Sequence, residues 1–457
     1  MTLRFGTDGV RGLANAELTP ELVLALGRAA ARFLGGDAFL VGRDTRLSGP
    51  MLQAALTAGL TSEGCNVVDL GVLPTPAVAA RSAQLGLPAA MISASHNPYP
   101  DNGVKLFAAG GRKLSDAAEH GVQAELDRLL GAAVTNDPKV AAEVGRVDRD
   151  DEAADAYVGQ LLQALDGRRL EGMRIIVDCS NGAASGVAGA VLRGAGADVS
   201  LIHAAPDGTN INHGCGSNHP ELLQAAVRDS PGTHLGLALD GDADRVVAVA
   251  ADGTVIDGDH IIGLCAVDLH QRGRLAGDAV VVTVMTNLGF RLGMARRGID
   301  VVETKVGDRY VLEALEERSL SLGGEQSGHV IFRELATTGD GLLTGLLLAD
   351  VVHRSGRALL DLAPEVMTRL PQVLRNVIVA DRAGLQHATA VWDEVAAVEA
   401  ELGDQGRVLL RPSGTENLVR VMAEAPTEEA AAGAVARVEA AVEAALGRSA
   451  QGSSPYT

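Results

Sequence analysis

Three aspartates stand at alternate positions in the segment L-D-G-D-A-D-R. Asp240, Asp242 and Asp244 follow an apolar stretch that predicts a strand over 235–239, and a second apolar stretch follows them. Two carboxylates about 4 Å apart repel each other by roughly 4 kcal/mol at an effective dielectric constant near 20, so a loop that gathers three of them requires a cation. Oxygen ligands alone favour Mg²⁺ over zinc or copper. A solvated acidic turn is the alternative, and the apolar flanking strands argue against it.

A second polar segment, S-A-S-H-N-P, follows an apolar stretch that predicts a strand over 89–92. Ser95 beside His96 is compatible with a nucleophile next to a base, although no G-x-S-x-G segment supports acyl-hydrolase chemistry. Alternatively, Ser95 carries a phosphoryl group, whose three oxygens would complete the coordination of a cation held by the aspartates. A plain turn that ends at the proline is the third interpretation. Lys105, on the next predicted strand, is a candidate cation or proton carrier.

The third segment is G-G-E-Q-S-G-H, in which Glu325 and Ser327 stand between glycines. Several donors and acceptors on one flexible loop are what recognition of a polyol demands, and an ordinary glycine turn is the alternative. Lys305 belongs to another polar loop just upstream, after a valine-rich stretch.

The fourth segment is R-P-S-G-T-E-N. Arg411 supplies a charge, Ser413 and Thr415 supply hydroxyls, and Gly414 exposes backbone N–H groups, which together suit a phosphate dianion. Arg420 follows on the next predicted strand. The chain has no G-x-x-x-x-G-K-[ST] sequence, so a nucleotide P-loop is not the pattern.

A cluster of soft ligands is the weakest of these candidates. His213, Cys215 and His219 lie within seven positions, but glycines and an asparagine separate them and no fourth ligand is evident. We expect a turn here rather than a metal site.

The elements that must position these loops form a repeated pattern. An apolar strand, a polar loop, an Ala/Leu-rich helix and a glycine before a second Val-rich strand recur three times, beginning near residues 39, 175 and 280. This alternation predicts three related α/β domains with mixed, largely parallel sheets, whose ligands bind at the carboxyl ends of the strands. The end of the chain differs, with strands over 408–411 and 419–424, the second half-exposed, and an Ala-rich helix to about 445. It predicts a smaller α+β domain.

We therefore expect four domains, each with one of the four loops. The predicted ranges are 1–153 with the serine loop, 154–256 with the aspartate loop, 257–368 with the polyol loop and 369–447 with the phosphate loop. Residues 448–457, which are small and polar, predict a flexible tail.

Composition limits the partners. The chain has 457 residues, a formal net charge of −19 and few aromatic residues, whereas a nucleic-acid binder needs a basic footprint and stacking platforms. No run approaches 18 apolar residues and no export signal is evident, so we expect no membrane span. Four scattered cysteines predict no disulfide framework and favour a reducing cytoplasm.

Taken together, the four loops resemble those of the α-D-phosphohexomutase superfamily, and the opening R-F-G-T-D-G-V-R-G resembles its phosphoglucosamine mutase branch. The likeness covers nearly the whole chain, with the motifs in the family order. Two departures flank the phosphate loop: Asn417 stands where the family usually has proline, and Pro412 where many members of the branch have threonine. The resemblance implies the four-domain phosphohexomutase architecture, with one loop from each domain in the active cleft.

The resemblance also implies a role for each position. Ser95 would be the phosphoserine, and it would share one Mg²⁺ per subunit with Asp240, Asp242 and Asp244. The other roles fall into three groups. The implied neighbours of the reacting phosphoryl group are Arg11, His96, Lys105 and Arg245. The implied contacts of the sugar are Lys305, Glu325 and Ser327. The implied clamp on the second phosphate is formed by Arg411, Ser413, Gly414, Thr415 and Arg420.

The implied reaction converts glucosamine 6-phosphate to glucosamine 1-phosphate through a bisphosphorylated sugar, toward UDP-N-acetylglucosamine and cell-wall precursors. The partner is then a small phosphosugar rather than a nucleic acid or a membrane, and a homodimer stays open. A phosphomannomutase or phosphoglucomutase of the same superfamily is the nearest alternative. An aspartyl-phosphate hydrolase is a further one, because D-G-D resembles a D-x-D nucleophile pair. A catalytically silent phosphosugar sensor is the third.

Overall fold

The computed structural model describes residues 9–131, 140, 143–413 and 416–447. By its internal contacts the chain divides into two compact units, Met1–Thr286 with Arg297–Val366 and Asn287–Arg296 with Met367–Thr457. Three sheets belong to the first unit and one to the second. The beginning of the opening motif, the predicted tail 448–457, and Gly414 and Thr415 of the phosphate loop lie outside the described residues.

The first domain is a sheet of seven strands with helices between them. Its elements are β1 (Val10–Leu13), α1 (Pro20–Leu34), β2 (Ala38–Arg43), α2 (Gly49–Ser62), β3 (Asn66–Val72), α3 (Thr75–Leu85), β4 (Ala89–Ile92), β5 (Asp101–Ala108), β6 (Arg112–Lys113), α4 (Asp116–Leu130) and β7 (Val147–Arg149). The strand order is β1-β5-β4-β2-β3-β7, with β6 beside β5. Strands β4, β2, β3 and β7 are parallel, and β1, β5 and β6 are antiparallel to their neighbours. The mixed, largely parallel sheet predicted for this region is confirmed.

The second domain repeats the pattern with fewer strands. Its elements are α5 (Ala153–Gln163), β8 (Arg174–Asp178), α6 (Ala188–Gly194), β9 (Asp198–Ile202), α7 (Glu221–Arg228), β10 (Leu235–Leu239), β11 (Val246–Val249) and β12 (Val255–Ile256). The order is β12-β11-β10-β8-β9, and β8 pairs in parallel with both β9 and β10. Every residue of β10 and β11 is buried, as expected for strands covered on both faces.

The third domain has a four-stranded sheet. Its elements are α8 (Gly258–Gln271), β13 (Ala279–Thr283), α9 (Leu288–Ala295), β14 (Asp300–Thr304), α10 (Asp308–Glu317), β15 (Leu322–Gly324), β16 (Val330–Phe332), α11 (Gly341–Ser355) and α12 (Leu359–Val366). The order is β14-β13-β15-β16, with only β16 antiparallel. Helix α9 is grouped with the second compact unit.

The fourth region is an antiparallel three-stranded sheet with two long helices. Its elements are β17 (Gln372–Ile378), α13 (Thr389–Leu402), β18 (Arg407–Pro412), β19 (Leu418–Glu424) and α14 (Glu428–Leu446). The smaller α+β domain predicted for the end of the chain is confirmed, and β17 and α13 were not among the predicted elements. Thr427 caps α14, because its hydroxyl accepts a hydrogen bond from the N–H of Ala430.

One detail of that region was predicted wrongly. Strand β19 was expected to expose alternate residues, yet Met422 and Glu424 are buried. The reason is that β19 is the central strand, and Glu424 both pairs with Arg407 at 2.8 Å and accepts a hydrogen bond from the N–H of Leu288 at 2.7 Å. An ion pair therefore buries Glu424 on the face of β19 that the alternation predicted to be exposed.

Two further expectations concern the whole chain. All four cysteines are buried and free of disulfides. Among the helices that the structure describes, none combines the length and the apolar character that crossing a bilayer requires.

Candidate active site

The polar loops lie at the carboxyl ends of strands, which is where ligands bind in parallel α/β sheets. The serine loop follows β4, the aspartate loop follows β10, and the polyol loop follows β15. All three belong to the first compact unit, where side chains of the serine and aspartate loops contact each other.

Ser95 is buried, and its side chain reaches the aspartate loop. Its Oγ donates a hydrogen bond to Asp240 Oδ2 at 2.7 Å and lies 3.3 Å from His96 Nδ1. Its φ is 52°, a left-handed conformation that a non-glycine residue rarely adopts. Gly241 allows the two loops to approach, because a Cβ there would lie 2.6 Å from the Ser95 carbonyl oxygen. The serine and the aspartates predicted to act together are therefore adjacent.

The three aspartates form a compact cluster of oxygen ligands. One carboxylate oxygen from each of Asp240, Asp242 and Asp244 lies within 4.8 Å of the others, and all three side chains are buried. Asp242 Oδ1 and Asp244 Oδ1 are buried without a hydrogen-bond partner among the described residues. Buried carboxylate oxygens without donors are costly unless a cation compensates them. The donor set and these two oxygens fit a hard divalent cation such as Mg²⁺.

The electrostatics of the cluster are uneven. Burial, reinforced by repulsion from Asp244 and Asp242, raises the pKa of Asp240 well above its usual range. Burial acts in the same direction on Asp244, but Lys105 and His329 outweigh it and hold the pKa of that carboxyl well below its usual range. Lys105 Nζ lies 2.7 Å from Asp242 Oδ2 and 3.4 Å from Asp244 Oδ2. Positive charge therefore compensates Asp242 and Asp244 more fully than it compensates Asp240, the carboxylate that faces Ser95.

Arg245 and His96 lie next to the serine hydroxyl. Arg245 Nη1 is 3.1 Å from His96 Nδ1, and because a guanidinium can only donate, this ring nitrogen accepts. Burial, together with the charges of Arg245 and Arg11, lowers the pKa of His96, so the ring is neutral at pH 7. Arg11 on β1 stands opposite Gly103 on β5, and the effect of its charge on His96 places it near this ring.

The polyol loop adds Glu325 to this group. Glu325 Oε1 accepts a hydrogen bond from the N–H of Gly307 at 3.0 Å, which joins it to the loop that contains Lys305. Its charge, with those of Asp244 and Asp240, outweighs burial in raising the pKa of Arg245, so it belongs to the same electrostatic environment. Lys305 and Ser327 are exposed and can meet a ligand from solvent.

A glycine also fixes this loop to the aspartate loop. Gly328 has a φ of 89°, and a Cβ there would lie 2.1 Å from the carbonyl oxygen of Val246, the residue after Arg245. Its own carbonyl accepts a hydrogen bond from the N–H of Val246 at 3.1 Å. The backbones of the two loops are therefore in direct contact at this point.

The phosphate loop belongs to the second compact unit and is described by itself. Arg411 on β18 and Arg420 on β19 are direct cross-strand partners. Partial burial and the charge of Arg420 lower the pKa of Arg411, although both residues remain partly exposed. Like charges placed opposite each other destabilise a sheet, so this pair suits an anion. Ser413 is buried, and its Oγ accepts a hydrogen bond from the N–H of Glu416 at 3.3 Å.

Several residues that support the loops were not singled out from the sequence. Thr75, the first residue of α3 and shortly after β3, donates its hydroxyl hydrogen to Asp242 Oδ2 at 2.6 Å. His329 was part of the polyol segment, but its contact with the aspartate loop was not predicted: its Nδ1 lies 3.7 Å from Asp244 Oδ2. Arg382 donates to the carbonyls on either side of the phosphate loop, those of Ser413 and Glu416. Position after a strand could have indicated Thr75, whereas nothing in the sequence pattern indicates Arg382.

Two other basic or soft clusters have structural roles. Arg309, in the first turn of α10, pairs with Asp116 and Glu119 of α4. The predicted turn around Cys215 is confirmed. The Cys215 sulfur groups with a carboxylate oxygen of Asp178 and a ring nitrogen of His203, rather than with the neighbouring histidines.

That group has the character of a hydrogen-bonded turn. The Asp178 carboxylate accepts hydrogen bonds from the N–H groups of Ser180 and Gly216 at 2.8 and 2.9 Å. Burial raises the pKa of the Cys215 thiol to about 11, so it remains protonated.

The arrangement suits phosphoryl transfer. The buried Ser95 hydroxyl contacts a cluster of carboxylates that fits a divalent cation. Arg245 and Lys105 form ion pairs with this cluster. Phosphoryl transfer depends mainly on positioning and on charge stabilisation, which these groups supply.

Comparison with known proteins agrees with this chemistry. Models of the phosphoglucomutase/phosphomannomutase family match the chain in four segments: alpha/beta/alpha domain I over residues 2–130, domain II over 155–253, domain III over 257–370 and the C-terminal domain over 374–441. The exact domain boundaries near 153, 256 and 368 stay predictions.

Curated relatives named phosphoglucosamine mutase resemble the chain over nearly its full length. The protein from Salinispora arenicola is 56% identical and the alignment covers 93% of this chain and 94% of the relative. That from Saccharopolyspora erythraea is 54% identical, with 97% and 100% covered. The predicted resemblance to the phosphohexomutase superfamily and to this branch is confirmed.

Solved structures show the same architecture. A phosphoglucomutase/phosphomannomutase family protein from Burkholderia thailandensis superposes with a TM-score of 0.80 at 26% identity, covering 96% of this chain and 97% of the other. The N-acetylphosphoglucosamine mutase of Aspergillus fumigatus, solved with GlcNAc-6P and magnesium, gives 0.69 at 19% identity, covering 98% and 96%. The predicted fold class is confirmed.

Proposed function

Because the chain belongs to the phosphoglucomutase/phosphomannomutase family, we propose that it interconverts glucosamine 6-phosphate and glucosamine 1-phosphate through glucosamine 1,6-bisphosphate. Ser95 is the phosphorylated residue, and the product leads to UDP-N-acetylglucosamine and cell-wall precursors. The single observation that supports the chemistry is the 2.7 Å hydrogen bond from Ser95 Oγ to Asp240 within the buried aspartate cluster.

The proposed reaction has two balanced half-reactions. In the first, the bond between phosphorus and Ser95 Oγ breaks while a bond from phosphorus to the free sugar hydroxyl oxygen forms, and the hydroxyl proton passes to a base. Ser95 Oγ takes up a proton as it departs, and the bisphosphorylated sugar then turns. In the second half-reaction Ser95 Oγ gives up this proton and bonds to the other phosphorus, while the bond from that phosphorus to the sugar oxygen breaks and the sugar oxygen takes a proton. Asp240, Asp242 and Asp244 would hold Mg²⁺, which would neutralise charge on the phosphoryl group when bound.

The basic side chains have separate roles in this scheme. Lys105 contacts Asp242 and Asp244 directly, so it is a charge partner of the cluster rather than a general base. That leaves the neutral His96 and a substrate oxygen as candidates for the proton acceptor. Arg245 Nε lies 3.7 Å from Asp244 Oδ1 and its Nη1 meets His96, which places its charge beside the reacting hydroxyl. Arg11 adds a second charge near the same ring.

Substrate binding is assigned to the two remaining loops. Lys305, Glu325 and Ser327 contact the sugar, and Arg411, Ser413, Gly414, Thr415 and Arg420 hold the phosphate that is not reacting. The cross-strand arginine pair supports this clamp. The amino sugar is chosen over glucose or mannose because the relatives above 50% identity are named phosphoglucosamine mutases. Parallel assays with glucosamine, glucose and mannose 6-phosphates test this choice, and a preference for either hexose phosphate contradicts it.

Intact-protein mass and peptide mapping test the nucleophile. The purified enzyme, treated with glucosamine 1,6-bisphosphate, should gain one phosphoryl group on Ser95. Ser95→Ala should gain none and lose mutase activity, whereas the matched control Ser62→Ala, on α2 of the same domain, should behave as wild type. Phosphate on Asp240 and never on Ser95 would establish the aspartyl-phosphate alternative. Mutase activity that persists in Ser95→Ala excludes the proposed mechanism, and no activity in the phosphorylated wild-type enzyme indicates a sensor.

We propose a cytoplasmic location, supported by four buried free thiols that a reducing compartment preserves. The partners in this proposal are phosphosugars, with no nucleic acid or membrane. Sedimentation of the full chain distinguishes a monomer from the homodimer that the sequence left open.

A further inference from the structure

Arg46 is the largest of the fully buried side chains, and it lies in the loop after β2 rather than in the described active-site loops. All five of its N–H donors are used. Nε donates to Asp44 Oδ2 at 2.9 Å, and the two terminal nitrogens donate to four backbone carbonyls. These carbonyls, at 2.5–3.1 Å, are those of Ser95, Asn97, Pro98 and Asp101. One guanidinium therefore holds the whole loop that contains the proposed phosphoserine.

The support below Arg46 extends to the other side of the same loop. Asp44 Oδ2 also accepts a hydrogen bond from Ser93 Oγ at 2.7 Å, and Ser93 Oγ in turn accepts one from the N–H of Ser95 at 2.9 Å. Both the N–H and the carbonyl of Ser95 are thus tied, directly or through one side chain, to the Asp44–Arg46 pair. This fixes the left-handed conformation of Ser95 from both of its peptide groups.

A side chain of the second domain contacts the same carbonyls. Asn212 Nδ2 donates to the Ser95 carbonyl at 2.8 Å and to the Asn97 carbonyl at 2.9 Å. Its own Oδ1 accepts a hydrogen bond from Ser180 Oγ at 2.7 Å, which orients the amide. The serine loop is therefore held from the first domain by Arg46 and from the second, which contains Asp240, by Asn212.

Stability alone does not account for a buried Arg–Asp pair. Both side chains are fully buried, and the cost of removing two charges from water often exceeds the attraction between them. What this pair supplies is a fixed geometry, since the planar guanidinium sets the directions of four carbonyls at once. The position of a nucleophile is the property that such a device would control, because phosphoryl transfer is sensitive to small displacements.

We propose that Arg46, supported by Asp44 and complemented by Asn212, is a positioning residue that fixes the direction of Ser95 Oγ for phosphoryl transfer. This inference rests on the proposed role of Ser95. Arg46 contacts the backbone of the loop and not the hydroxyl, so it acts through Ser95. Its loss should slow transfer while leaving substrate affinity nearly unchanged, because the proposed sugar and phosphate contacts lie on other loops.

Arg46→Lys is the main test, because lysine keeps the charge opposite Asp44 but cannot span four carbonyls with one nitrogen. The full-length variant is phosphorylated with glucosamine 1,6-bisphosphate, and transfer from Ser95 to glucosamine 6-phosphate is followed in a single turnover. We expect the transfer rate and kcat to fall by about 100-fold together, with KM within about twofold of wild type. Arg28→Lys, which alters an ion pair with Glu63 in the same domain, is the matched control and should retain the wild-type rate.

Two outcomes overturn the inference. One is a folded Arg46→Lys enzyme that transfers the phosphoryl group at the wild-type rate. The other is a fall in activity that is explained entirely by a smaller fraction of enzyme phosphorylated on Ser95. Should Arg46→Lys fail to fold, Asn212→Ala decides, because it leaves Arg46 in place. A roughly tenfold slower transfer at unchanged KM supports the inference, and a wild-type rate contradicts it. Failure of the proposed function is distinguishable, since wild-type Ser95 would then carry no phosphate at all.

Discussion

The aspartate loop and the phosphate loop bring charges together in opposite ways. In the aspartate loop, three buried carboxylates face Lys105 and Arg245 at short range, so most of the charge is matched within the protein. In the phosphate loop, Arg411 and Arg420 stand side by side and partly exposed, and each lies opposite a like charge. The protein compensates most of the charge of the aspartate loop and leaves the rest for a metal ion, whereas the phosphate loop presents an excess of positive charge.

This difference separates two tasks. A buried, internally matched cluster holds a reacting group in a constant field, which is what transition-state stabilisation requires. A partly exposed pair of like charges attracts an anion from solution, and the bound anion relieves the repulsion between the two charges. We therefore expect changes in the aspartate loop to act mainly on kcat and on metal affinity, and changes in the phosphate loop to act mainly on KM.

The largest effect should follow Asp242→Asn. The substitution removes one charged ligand and deprives Lys105 and Thr75 of their carboxylate partner. We expect kcat/KM to fall by about 10³-fold, as when one electrostatic contact to a transition state is lost. Titration with Mn²⁺ in the absence of substrate should show weaker binding. The control is Asp252→Asn, an exposed turn residue of the same domain, and equal metal affinity in the two variants would contradict the assignment.

A buried carboxylate of the first compact unit, outside the aspartate loop, predicts a pH effect on the stability of the protein. Asp340 caps α11, and its carboxylate accepts hydrogen bonds from Tyr157 and from the N–H of Leu343. Burial is the main cause that raises its pKa from 3.8 to about 6. Because the folded pKa is the higher one, this contribution to stability is complete below pH 3.8 and is lost as pH rises through about 6. The loss amounts to about 3 kcal/mol over the window.

Asp340→Asn should remove that dependence, since asparagine is also a good N-cap and cannot ionise. Melting temperatures of the variant relative to wild type should therefore rise between pH 3.8 and about pH 6 and level off above it. Asp361→Asn, in the exposed first turn of α12, is the control and should show no such trend. Parallel melting curves for Asp340→Asn and wild type across this range would show that Asp340 does not titrate there.

How much of the fold and of the candidate site could be predicted from the sequence depends on how far apart along the chain the contacting residues lie. Ser95 and Asp240 were expected to act together because a phosphoryl group on the serine would complete the coordination of a cation held by the aspartates, and because the family resemblance implies one loop from each domain in a shared cleft. Their strands belong to different sheets, so the strand pattern alone did not predict the contact. Thr75 could have been indicated by its position shortly after a strand. Local pattern was sufficient for the strands over 89–92, 235–239, 408–411 and 419–424 and for the polar loops beside them.

The residues that hold the loops were missed for a physical reason. Arg46 lies 49 positions before Ser95, and an arginine is ordinarily an exposed residue, so neither its burial nor its partners follow from composition or periodicity. Asn212 is 117 positions from Ser95 and belongs to another domain. The buried face of β19 was missed in the same way, because Glu424 is satisfied by an ion pair with Arg407 that alternation does not reveal.

On the phosphate side, Arg411→Gln should act on substrate affinity. Loss of one charge-assisted contact costs about 1.5–3 kcal/mol, so KM for glucosamine 6-phosphate should rise by roughly 30-fold with a smaller change in kcat. Steady-state kinetics provide the measurement. Arg375→Gln is the matched control, since it removes an exposed arginine from the same sheet, where Arg375 pairs with Glu439. A rise in KM no larger than that of the control would contradict the role of Arg411.

The smallest effect should be the response to salt, and it discriminates most directly between an exposed and a buried site. The Debye length is about 10 Å at 0.1 M salt and about 3 Å at 1 M, so screening reaches exposed charges far more than buried ones. Between these concentrations we expect KM to rise by roughly threefold in wild type, and by less in Arg420→Gln, which has one exposed charge fewer. The rate of phosphoryl transfer from Ser95 in a single turnover at saturating substrate should change little, because Lys105 and Asp242 are buried. A transfer rate that falls as steeply as affinity would mean that the aspartate loop is as open to solvent as the phosphate loop.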